Sequence, residues 1–192
     1  MHLDFNLTTD SVYIFYGILG VLLLFQLYYI IFVYGKLARY KVQSFQDKVD
    51  LPAASVIICA RNEEDNLKHF LPLILEQDYP QFEVIVVNDN SSDETQWILQ
   101  EFKTAYPHLH IVEIKEHIRL KHSKKFALTL GIKAAKYGHL VMTDADCQPQ
   151  STMWLRETVG AYTEQTEIVL GYSPYFKDKS FLNKVIRFET TH

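Results

Sequence analysis

The chain has 192 residues, with 19 Lys and Arg against 23 Asp and Glu, 48% apolar residues and a mean hydropathy near zero. That balance excludes a disordered polypeptide and one that coats nucleic acid through bulk positive charge. It suits one modest domain plus a separate apolar segment.

The segment runs from Val12 to Tyr34, has no charged residue and carries only Gln26 as a strongly polar side chain. At ~1.5 Å per residue it spans roughly 34 Å, enough for a bilayer core of about 30 Å. It is too long for a signal-peptide core and no basic flank precedes it, so a membrane span is expected. Every Lys and Arg follows Tyr34, beginning with Lys36, Arg39 and Lys41. The positive-inside bias therefore predicts a single-pass protein whose soluble part is cytoplasmic. The expected organisation is a flank (1–11), a transmembrane helix (12–34), a juxtamembrane tether (35–52) and a soluble domain (53–192).

Beyond Pro52, short apolar runs alternate with helical patterns. Strands are expected at Ser55–Cys59, Glu83–Asn88, His110–Ile114 and Leu140–Thr143, and a fifth at Ile168–Tyr172. Their continuous apolarity suits strands buried on both faces of a parallel sheet. Leu67, Phe70, Leu71, Ile74 and Leu75 trace one helix face that Asn62 can cap, with Pro72 bending or shortening the helix. Ser91 and Glu94 have capping-box spacing ahead of Trp97, Ile98 and Phe102. Ser123 can cap a third helix whose Ala127, Leu130, Gly131 and Ala134 make a small, closely packing face. The alternation implies a doubly wound α/β fold with a mostly parallel sheet. No Gly-rich dinucleotide or Walker loop follows a strand. Cys59 and Cys147 form no metal-knuckle or redox spacing.

Three strands end in polar clusters: Ala60-Arg61-Asn62-Glu63, Asn88-Asp89-Asn90-Ser91 and Asp144-Ala145-Asp146. In a parallel sheet these share one rim, where open α/β folds bind ligands. Asp144 and Asp146, two apart, project the same way if the chain stays extended, and can hold a divalent cation completed by a diphosphate. Asp89 can accept a hydrogen bond from a uracil N3–H or serve as a helix cap. Glu63 is open between a base or ribose contact and a complement to the helix dipole. Lys115, Arg119, Lys121, Lys124 and Lys125 face only Glu116 as an acid along their stretch. Lys124 and Lys125 open a helix, a poor place for cations unless an anion compensates. His122 is the one histidine near the rim, and the histidines are read as surface residues.

Ala54–Glu63, Val86–Asp93, Lys124–Gly131 and Met142–Asp146, in that order and spacing, resemble the family 2 glycosyltransferases of the GT-A fold. The resemblance implies a nucleotide-diphospho-sugar donor, a UDP-sugar, with inversion at the anomeric carbon and a divalent cation, Mg2+ or Mn2+. It implies that Ala60, Arg61 and Glu63 line the nucleoside pocket, Asp89 contacts the uracil and Lys124 lies near the nucleotide. Asp144 then meets ribose or metal, and Asp146 binds the metal. The acceptor is left open among a polysaccharide, a lipid-linked glycan and a lipid, and no nucleic acid is a partner.

Several positions depart from the family pattern. Asn88 and Asn90 stand where Asp and Gly are usual, Ser123 replaces a Gly and Thr129 an Asn. After Asp146, none of Glu157, Glu164, Glu167, Asp178 and Glu189 sits in a recognisable base motif, so the general base is unassigned. The expectation is a chain cut short on the acceptor side that binds donor with little transfer of its own. Its Phe176, Phe181, Leu182, Ile186 and Phe188 then favour self-association. A non-catalytic nucleotide-sugar sensor or assembly scaffold is the alternative from another class.

Overall fold

The computed structural model describes residues 9–39, 45, 50–114, 123–171 and 173–189. It divides into two compact units, Met1–Gln43 and Ser44–His192. The first unit is helical: α1 (Thr9–Tyr28), a π-helical segment (Tyr29–Tyr34) and α2 (Gly35–Ala38). Within it, Ser11–Tyr34 has a mean hydropathy of 2.1 and none of its length is buried. Among the described residues it is the one helix long and apolar enough to cross a membrane. The π-helical turn, in which the Gly35 N–H reaches back to the Ile30 carbonyl, was not foreseen from the sequence.

In the second unit the order is β1 (Ala54–Ala60), α3 (Glu64–Leu75), β2 (Phe82–Asn88), α4 (Thr95–Ala105), β3 (Leu109–Glu113), α5 (Lys124–Ala134), β4 (His139–Asp144), α6 (Trp154–Gly160) and α7 (Phe181–Glu189). The four strands form one parallel sheet in the order β3-β2-β1-β4. Alternate residues of β1 enter different cores. Val56, Ile58 and Ala60 pack with Leu67, Leu71, Ile98, Leu99, Leu155 and Val159 of α3, α4 and α6. Ile57 packs with Ala127 of α5, Ile85 and Val87. Helices thus cover both faces of the central strands β1 and β2, which are buried almost throughout.

Gly131 lets α5 approach closely. A Cβ there would lie 2.5 Å from Ile57 Cγ2 and 3.1 Å from Val87 Cγ2. Ala127 and Gly131 make the contact face as expected, but Ala134 is exposed. Trp97 is 76% exposed, and α4 turns Thr95, Ile98 and Leu99 into the core. Pro72 sits inside α3, which ends three residues later. The expected fifth strand is not found among the described residues: 168–171 is irregular, and Tyr172 lies outside them.

Candidate functional site

The topology reverses at β1: the chain moves outward through β2 and β3, then returns to place β4 on the other side of β1. Ligands of open α/β sheets bind at such a switch point, beyond the carboxyl ends of the strands. A cleft of about 300 Å³ lies there, lined by Cys59, Ala60, Arg61, Glu63, Asp89, Lys124, Ala127, Asp144, Ala145 and Asp146. All seven site residues expected from the sequence are therefore in one cleft. Cys59, Ala127 and Ala145 were missed, being apolar or neutral wall rather than chemistry.

The β1 and β2 ends are stitched together. The Asp89 N–H donates to the Ala60 carbonyl at 2.9 Å, which seats Asp89, 7% exposed, beside the end of β1. Asn62 and Asn90 both adopt the left-handed region, with φ of 56° and 51°. Asparagine tolerates that conformation at modest cost, so Asn90 does the work of the glycine usual in the family. The Asn62 N–H donates to Ser91 Oγ at 3.0 Å, and its side-chain oxygen accepts from the Ser92 N–H at 2.8 Å. The Glu63 N–H donates to Thr95 Oγ1 at 3.0 Å.

These bonds overturn two expected caps. Asn62 does not cap α3, and Ser91 does not cap α4; both side chains bond across to the other loop. Asp93 does that work for both helices. Its carboxylate accepts from the Glu64 N–H at 3.2 Å and from the Thr95 N–H at 3.1 Å. Although burial pushes the Asp93 carboxyl upward, these bonds from Thr95 and Glu64 hold it below the usual range.

Glu63 is half-buried and its Oε2 accepts from Asn66 Nδ2 at 2.6 Å. Arg61 is exposed at the rim. Ser123 caps α5 as expected, accepting from the Phe126 N–H. Lys124, the first helical residue, donates from Nζ to Asp144 Oδ1 at 2.7 Å. That bond holds the Lys124 ammonium above the usual lysine range. Burial pushes the Cys59 thiol up; Lys124 opposes this, and Asp144 and Asp89 add to it. Residues 115–122, which include the rest of the basic stretch and His122, lie outside the described residues.

Asp146 reaches the cleft for a different reason from the one expected. The strand ends at Asp144 and the chain turns, the Cys147 N–H donating to the Asp144 carbonyl at 3.2 Å. A turn, and not strand alternation, brings both carboxylates to the same cleft. Both are exposed hard-oxygen donors. Among the described residues no group of three or more His, Cys, Asp or Glu could enclose a metal ion. Such a pair fits a cation that keeps several waters and takes its remaining ligands from phosphate oxygens.

Residues 55–190 match the family described as "Glycosyl transferase family 2". The chain belongs to glycosyltransferase family 2. It is 35% identical over 111 residues to the glycosyltransferase AglE of Haloferax volcanii, covering 57% of this chain and 35% of that protein. It is 33% identical over 92 residues to a poly-beta-1,6-N-acetyl-D-glucosamine synthase of Staphylococcus epidermidis, covering 48% of this chain and 21% of the synthase. Among solved structures it resembles the mannosyltransferase PcManGT of Pyrobaculum calidifontis, in complex with GDP-Man and Mn2+. The TM-score is 0.58 with 27% identity, over 70% of this chain and 39% of that one. The chain thus spans about a third or less of the length of these two curated relatives. Its parallel sheet with flanking helices is of the GT-A type.

Proposed function

We propose that this family 2 chain is the membrane-anchored, donor-binding part of a glycosyltransferase that takes its sugar from a nucleotide-diphospho-sugar, a UDP-sugar, with inversion. One observation carries the reading: Glu63, Asp89, Lys124, Asp144 and Asp146, spread over more than eighty residues of sequence, line a single cleft at the sheet's switch point.

The roles follow from position and chemistry. Buried Asp89 accepts an N–H of the base, while Ala60, Arg61 and Glu63 form the wall around base and ribose. Lys124 and the opening of α5 face the diphosphate, where N–H dipoles and an ammonium both favour negative charge. Asp146 and Asp144 hold a divalent cation, Mg2+ or Mn2+, whose bound form neutralises the departing diphosphate. A neighbour solved with GDP-Man and Mn2+ supports a nucleotide-sugar and a divalent cation for this fold. The apolar Ser11–Tyr34 helix and the Lys and Arg that follow it support a single membrane pass with the cleft on the cytoplasmic side. The acceptor class stays open among a polysaccharide, a lipid-linked glycan and a lipid. Exposed Phe176, Phe181, Leu182, Ile186 and Phe188 support self-association in isolation.

Calorimetry on the full chain in mild detergent tests the donor reading. UDP is expected to bind with Mn2+ or Mg2+ and to lose most of its affinity in chelator, with GDP weaker than UDP. Folded protein with no metal-dependent affinity for UDP would overturn the reading.

A further inference from the structure

The cleft carries its own countercation. Lys124 Nζ lies 2.7 Å from Asp144 Oδ1, and the two side chains are 70% and 51% exposed. Lys124 occupies the first position of α5, where the helix N–H groups disfavour a cation and Asp144 offsets that cost. Asp144 is also one of the two carboxylates proposed to hold the divalent ion. A carboxylate oxygen bonded to an ammonium is a poorer metal ligand, and an approaching dication meets a like charge at contact range. Among the described residues no third acidic, His or Cys side chain completes a metal site. A lone dication that displaces Lys124 therefore gains the Asp144 and Asp146 carboxylates with no third ligand side chain beside them.

We infer that Lys124 is a placeholder: in the donor-free protein it occupies Asp144 and discourages a lone divalent cation, and it releases Asp144 for the diphosphate when metal and nucleotide arrive together. The inference rests on the donor-site reading above and adds the coupling between the two ligands. The lysine's flexible four-carbon stem and compact charge suit such a swing. Exposure of both partners keeps the bond weak and the exchange easy. One residue thus lowers affinity for the metal alone and raises affinity for metal with diphosphate. A residue that only supported the fold would shift both the same way.

The test uses the full chain in detergent. Mn2+ alone is titrated by the free-ion electron paramagnetic resonance signal, and UDP at saturating Mn2+ by calorimetry, for wild type and Lys124→Gln. Lys124→Gln is expected to bind Mn2+ alone about two- to fivefold more tightly and UDP about tenfold more weakly. In an Asp144→Asn background, Lys124→Gln is expected to leave Mn2+ affinity unchanged. Wild type that binds UDP while Lys124→Gln gains no affinity for Mn2+ alone overturns the inference and leaves the donor reading standing. Wild type that fails to bind UDP with Mn2+ overturns both.

Discussion

The Asn62 side-chain oxygen accepts a hydrogen bond from the Ser92 N–H at 2.8 Å across two loops thirty residues apart. With the Asn62 N–H bonded to Ser91 Oγ, this pair fastens the β1 rim of the cleft to the β2 rim. The left-handed backbone of Asn62, φ 56°, aims both groups at the other loop.

Replacing Asn62 by Ala removes the side-chain bond and puts a less tolerant residue in the left-handed region. A loss of about 2–3 kcal/mol is expected, roughly 1 from the bond and 1–2 from the backbone. Asn62→Gly relieves the backbone part and should lose less. Urea denaturation of the two variants measures the difference, and equal losses would contradict the backbone share.

Asn90 separates conformation from contact more cleanly. With φ at 51°, Asn90→Gly is expected to be within about 1 kcal/mol of wild type, while Asn90→Val loses about 2 kcal/mol or more. Thermal denaturation tests this ranking. A valine variant as stable as the glycine one would contradict the left-handed assignment.

The α/β architecture was legible because its central strands, β1 and β2, are buried on both faces. The four runs from Ser55, Glu83, His110 and Leu140 lie within observed strands or pass them by one residue, and the rim at their ends follows from parallel pairing alone. The caps were not legible. Asn62 and Ser91 have the right chemistry for local caps, but tertiary contact between the loops claimed them and left Asp93 to serve both helices. The route of Asp146 into the cleft was missed since a turn after β4 has no period to read.

Gly131→Ala tests how closely α5 must approach the sheet. The added methyl would meet the Ile57 side chain at 2.5 Å, and overpacking of this kind costs about 1–3 kcal/mol. That exceeds the helix-propensity gain of about 1 kcal/mol from replacing glycine. Net destabilisation in chemical denaturation is expected; a more stable variant would show that α5 can retreat from Ile57.

Stability should fall at both ends of the pH scale for nameable reasons. Asp93 has a depressed folded pKa, so its contribution is complete above the unfolded carboxyl value of about 4 and is lost as pH falls below it. Tyr79 is pushed up to about 12 by burial, with its hydroxyl donating to the Pro52 carbonyl. Its contribution is complete below about 10 and is lost as pH rises toward 12. Relative to wild type, Asp93→Asn should flatten the acid limb of a stability–pH profile, and Tyr79→Phe the alkaline limb. Unchanged limbs would contradict these assignments.

The convergence of the β2 and β4 ends on one ligand is tested most directly by UDP affinity in saturating Mn2+ for Asp89→Ala and Asp146→Ala, beside Asp178→Ala, which lies outside the cleft lining. Loss of a charged hydrogen bond or metal ligand at either cleft position is expected to weaken UDP about tenfold or more, with Asp178→Ala unchanged. UDP binding that survives both cleft substitutions in folded protein would contradict the account.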